Sequence, residues 1–171
     1  VTRRRNVRCV LAMVCALVAA SAVVGGDMSG GDRAAPETFP AVEARLGVLV
    51  ERTLRTGGFT VDPRRGTAPA SGYAVATGRS TAQVEPAAAF FAGDGPRALR
   101  AYLREHADVL VRDPQLMVGA WYDRDGRRVV LSLVRVMPDR ATAVHCGLSH
   151  HQRSVYDLSA RRDVPTGLSP S

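Results

Sequence analysis

Helix and strand signals alternate along this chain in the order expected of an α+β domain, with a mostly antiparallel sheet and about three helices packed on one face. Three observations carry that prediction. Residues 115–137, QLMVGAWYDRDGRRVVLSLVRVM, set Asp123-Arg124-Asp125-Gly126 between two apolar runs, and Asp-Gly accepts the positive backbone angles of a tight hairpin. The second run is apolar at Val129, Val130, Leu131, Leu133, Val134 and Val136, a near-continuous pattern suited to a central strand. Upstream, Leu99, Tyr102, Leu103, Ala107, Leu110 and Val111 share one helical stripe, opposite Arg97, Arg100, Arg104, Glu105 and Asp108.

Taken in order, the chain opens with a signal peptide or membrane anchor over residues 1–26. Arg3, Arg4, Arg5 and Arg8 precede an apolar run from Cys9 to Val24, and Ala20-Ser21-Ala22 is a small-x-small cleavage triplet. An uncleaved anchor needs roughly 17–25 apolar residues, which the run to Gly26 only just supplies. The basic flank orients the domain outside in either case. Residues 27–40, DMSGGDRAAPETFP, lack periodicity and read as a linker. A single α+β domain then spans 41–158, and 159–171 form a polar, flexible tail.

Within the domain, Val42, Leu46, Leu49, Val50 and Leu54 mark a helix over 41–56, with Pro40 in its first turn and Gly57-Gly58 at its end. Short strands follow at 59–62, stopped by Pro63, at 73–77, and at 83–85. The segment PAAAFFA over 86–92 reads as a helical turn that plugs the core with Phe90 or Phe91. Asp94 can cap the helix after it. In the hairpin strand Trp121 and Tyr122 must face opposite sides, one toward the helices and one open. Beyond it Asp139 caps a third helix over 140–150, with Val144 and Leu148 inward and Gly147 weakening it by roughly 1 kcal/mol relative to Ala. A last strand covers 154–158.

Composition narrows the function classes. The formal net charge is +7, and all 23 basic residues are Arg. Outside the N-terminal block they interleave with acidic residues, whereas a nucleic-acid face needs concentrated charge, so nucleic acid is not the expected partner. Aromatic residues make up only 5%, so the core must rest on Val, Leu and Ala. Removal of residues 1–26 takes Cys9 and Cys15 with it. Cys146 alone then remains, and no internal disulfide can form.

The series Phe59-Thr60-Val61-Asp62-Pro63, Gly72-Tyr73-Ala74-Val75, Gly119-Ala120-Trp121-Tyr122-Asp123, Gln152, Val155-Tyr156-Asp157-Leu158 and Thr166-Gly167 resembles a small domain of actinobacterial and phage or mobile-element proteins. The resemblance covers residues 57–167. It implies a fold and no mechanism, because these motifs are structural in type and the domain usually has no assigned activity. The chain departs from that pattern at Val130-Leu131-Ser132, where an acidic residue is expected.

The densest chemistry lies in residues 145–152, HCGLSHHQ. Cys146 and His150 are one helical turn apart, as two metal ligands could be, and His106, Asp123 or Asp157 could complete a site. Zinc needs at least three protein ligands at a catalytic site, and the spacing supplies two. A nucleophilic Cys146 is disfavoured inside a helix. Asp123 and Asp125 are explained by turn chemistry. No phosphate loop, nucleophile elbow or calcium loop occurs, so no catalytic residue and no cofactor are expected. The leading expectation is an exported or membrane-tethered, non-catalytic domain, secreted or at the cell membrane. It would bind an unidentified protein or other envelope component, with residues 9–26 in the membrane if uncleaved. Two alternatives stand beside it: an exported metal-dependent hydrolase using Cys146, His150 and His106, and a nucleic-acid-binding element of mobile DNA.

Overall fold

The computed structural model describes residues 38–168, so the expected signal or anchor lies outside the described residues. The first elements are α1 (Pro40–Glu43), α2 (Leu46–Thr56), β1 (Gly58–Val61), β2 (Tyr73–Ala76) and β3 (Gln83–Pro86). Next come α3 (Ala87–Ala89), α4 (Gly95–Glu105), α5 (Ala107–Arg112), β4 (Leu116–Asp123) and β5 (Arg128–Met137). The last are α6 (Arg140–Ser149), β6 (Ser154–Asp157) and β7 (Arg162–Pro165). The class is α+β, with a seven-stranded antiparallel sheet in the order β1-β4-β5-β2-β6-β7 and β3 also on β5.

The hairpin is the centre of the sheet. β4 pairs along its whole length with β5, from Leu116 opposite Arg135 to Asp123 opposite Arg128. The opposite edge of β5 is shared: β3 covers its first half and β2 its second. Those two strands are one line interrupted by the 3₁₀ turn Arg79–Thr81. Thr77 N–H still bonds Leu133 O at 2.9 Å, and the Tyr102 hydroxyl donates to Thr81 O at 2.7 Å, fastening the excursion to α4.

Two hydrophobic clusters lie on the same side of the sheet. Leu116 of the larger cluster, Arg135, and Val75 of the smaller sit directly opposite one another across β4, β5 and β2, and opposed residues share a face. The larger gathers α1, α2, α4 and α5 over β1, β4 and β5, with Phe39, Phe90, Leu99, Tyr102, Leu110 and Leu131 among its buried residues. The smaller packs Ala143 of α6 on Val75, Val155 and Val164. Between them Arg135 is ion-paired to Asp113 and bonds Gln115 Oε1 at 3.1 Å.

Several boundaries differ from the sequence reading, each for a local reason. Phe39 is buried and Pro40 already begins α1, so the linker ends before residue 39. The helix expected over 41–56 breaks at Ala44-Arg45, where the Arg45 guanidinium donates to Gly66 O. After the break the buried stripe runs Leu46, Leu49, Thr53, which turns Leu54 out to 47% exposure. The break at His106 likewise leaves Val111 exposed. Asp94 does not cap α4; its carboxylate pairs with Arg97 at 2.9 Å, and α4 is entered through a π-turn, Phe90–Asp94, whose Gly93 holds φ 136°. Only glycine adopts that angle without strain.

The hairpin turn also differs: the loop is 124–127, and its left-handed residue is Arg127 rather than Gly126. Gly126 N–H instead bonds Asp123 Oδ1 at 3.0 Å. In α6 the Asp139 cap forms, accepting from Thr142 N–H at 2.7 Å; Ala143 and Gly147 are its buried positions, Val144 packs half-buried against the smaller cluster as expected, and Leu148 is exposed. A Cβ on Gly147 would meet Val155 Cγ1 at 2.7 Å and Thr166 Cγ2 at 3.0 Å, so the residue that weakens the helix is what lets β6 approach it. Part of the expected tail is ordered structure. Asp157 accepts from Ser159 and Ala160 N–H, the chain turns at Arg161, and β7 pairs with β6.

Candidate functional site

Of the residues singled out from the sequence, the structure brings two together. Cys146 Sγ and His150 Nδ1 are 3.7 Å apart along α6, both half-buried, while His145 and His151 are exposed. His106 lies elsewhere, at the α4–α5 break, with its ring edge-on to Tyr102 at 4.3 Å between centroids. Asp123 is committed to the hairpin, ion-paired with Arg128 at 2.9 Å, and Asp157 to the turn before β7. Among the described residues no group of three His, Cys, Asp or Glu side chains converges as a metal site. His106, Asp123 and Asp157 therefore do not complete the Cys146–His150 pair.

A second candidate emerges from the register. Gly58, Trp121, Val130 and Val84 sit directly opposite one another across β1, β4, β5 and β3. This row projects from the sheet face away from both clusters. Trp121 is 54% and Val84 55% exposed. Gly58 brings β1 close beside Trp121, since a Cβ there would meet Ala120 O at 2.3 Å. The alternating neighbour Tyr122 turns the other way, its ring 4.9 Å from Phe91 and capped by the Arg124 guanidinium at 4.9 Å. Met117, Val134 and Val136 lie on the same outer side along β4 and β5, with Val134 buried over Gly119 and the other two half-buried. The sequence reading put Val130 in a central strand and Val84 in a short one without setting either beside Trp121, although a hairpin closed by Asp123 and Arg128 puts Val130 opposite Trp121 by counting.

Charge around these features is mostly structural. The Asp123 carboxyl is held below its ordinary range, first by the Gly126 N–H and then by Arg128, with Arg153 adding a smaller pull. Asp139 is lowered by the Thr142 backbone and hydroxyl bonds. Burial, reinforced by Glu105, pushes the Tyr102 phenol well above its usual value, so it serves as a neutral hydrogen-bond donor.

Open clefts indent the surface of the described residues. One of about 400 Å³ is lined by Ser71, Gly72, Tyr73, Val136, Pro138, Asp157 and Ser159 at the end of β2. Another, about 250 Å³, lies between the 3₁₀ turn and α4 and includes Thr81, Gln83, Glu105 and His106. Neither holds the Cys146–His150 pair. Comparison with protein-family models, with curated proteins and with solved structures finds no match to this chain.

Proposed function

We propose that this chain is an exported or membrane-tethered, non-catalytic domain that binds another component of the cell envelope through the sheet face around Trp121. The observation that carries this reading is the apolar row Trp121–Val130–Val84, which no described helix covers. Covering a large apolar side chain is worth about 1.5–3 kcal/mol, so this row is binding energy that folding leaves unused. The basic and apolar opening of residues 1–26 supports the location. Among the described residues no helix is long and apolar enough to cross a membrane.

Protease added to intact host cells tests the reading. Digestion of the domain under conditions that spare cytosolic proteins is the expected result; complete protection until the cells are lysed overturns it. The hydrolase alternative rests on Cys146 and His150 alone. Stoichiometric zinc in the purified chain, with melting that falls on chelation, would bring it back.

A further inference from the structure

We infer that Cys146 and His150 form half of a tetrahedral zinc site, completed by the same pair from a second copy of this chain. Sγ and Nδ1 stand 3.7 Å apart, one turn from each other at the C-terminal end of α6. With Zn–S of about 2.3 Å and Zn–N of about 2.0–2.1 Å, a tetrahedral angle sets a thiolate sulfur and an imidazole nitrogen about 3.6 Å apart. The pair therefore already has the length of one edge of the tetrahedron. Both side chains are half-buried, with Cys146 packed against the smaller cluster, so the fold restrains them before any metal arrives. On binding, each Cys146 thiol releases its proton to solvent and its sulfur ligates the ion, while His150 supplies the Nδ1 electron pair.

A structural zinc site takes four protein ligands, and among the described residues nothing in this chain joins the pair as a third. A second copy completes the set by construction, because it carries the same two ligands at the same spacing. Two Cys and two His are a set that zinc accepts, and the two thiolates balance its charge. The surface around the pair admits the contact. Residues 141–152, ATAVHCGLSHHQ, contain no Asp, Glu, Lys or Arg, in a chain that is 23% charged. In a two-fold contact each surface meets itself, so a face of one sign repels its copy and an uncharged one does not. Ala141, Thr142 and Ser149 are small and exposed, which lets two helices come close, and Leu148 offers apolar area to cover.

The test uses the full chain carrying Cys9→Ser and Cys15→Ser, which leaves Cys146 as the sole thiol. It is purified metal-free with a reducing agent in non-ionic detergent, then titrated with zinc in sedimentation-velocity runs and with Co²⁺ for its visible spectrum. The expected result is a doubling of protein mass at one zinc per two chains, reversed by chelator. Cobalt should give the intense visible bands of a tetrahedral thiolate site. Cys146→Ser and His150→Gln should each remove the zinc-dependent dimer with circular dichroism unchanged. Ser149→Arg sets like charges across the axis with both ligands in place, and should weaken dimerisation about tenfold or more. One zinc per chain at monomeric mass overturns the second copy and returns the pair to the hydrolase reading. A dimer indifferent to chelator, or the same zinc stoichiometry in Cys146→Ser, overturns the metal site. Absence of zinc binding overturns the inference whole. All of this is read on purified chain in solution, so the envelope reading stands or falls separately, by protease on intact cells.

Discussion

The two hydrophobic clusters share one sheet face but are built of unequal material. Of the largest fully buried side chains, Tyr102, Phe90, Leu99, Leu103, Leu110, Leu131 and Leu133 all belong to the larger cluster, and Val75 is the smaller one's sole representative among them. The larger cluster is held by buried volume. The smaller is held by close backbone approach, with Gly147 against Val155 and the Thr166 hydroxyl bonded to Gln152 O at 2.6 Å. Arg135, paired with Asp113, separates them. Local stability follows buried apolar contact, so α6, β6 and β7 should open at lower cost than the rest.

The largest test of this contrast is Phe90→Ala. Removing a fully buried ring from the larger cluster should cost about 3–5 kcal/mol and lower the denaturant midpoint of the entire domain. A loss confined to α6 would break the comparison. Gly147→Val comes next. The added methyls have no room against Val155 and Thr166, so overpacking should cost about 1–3 kcal/mol. Hydrogen exchange should show protection falling in α6, β6 and β7 while α4 keeps its own.

The smallest effect is acidic. Asp123 and Asp139 both have folded values below the ordinary 3.8. A depressed carboxyl stabilises the fold at pH above its unfolded value, and that contribution is lost as pH falls through the folded one. Acid should therefore loosen the hairpin loop through Asp123 and the start of α6 through Asp139. Asp139→Asn should remove the acid-sensitive step from α6 exchange and leave that of the hairpin in place.

The larger cluster was legible from sequence because its helix α4 and its hairpin carry strong periodicity. Leu99, Tyr102, Leu103 and Leu110 are buried as their spacing implies, and Phe90 is the plug that 86–92 suggested. The smaller cluster was not. In β7 only Val164 is both apolar and buried within RDVP, too sparse a pattern to read as a strand. In α6 the inward positions are Ala143 and Gly147, whose small size looks like weakness until β6 is in place. The break at Arg45 shifts a helical stripe through a tertiary contact, to Gly66 O, that no local pattern records. At the candidate surface, alternation separated Trp121 from Tyr122 without saying which one the helices would claim. That depends on which side α4 and Phe91 occupy.

The open borders of the sheet have a consequence for self-association. Each border strand, β1, β3 and β7, is only four residues long, and Pro86 and Pro165 end the last two. Proline cannot donate to a neighbouring ladder, and so short a stretch gives an incoming strand few bonds to gain. The longest strand, β5, is flanked on both sides and so withheld from such pairing. A domain with an apolar sheet surface would otherwise invite fibril growth, and its margins are cut too short to template it.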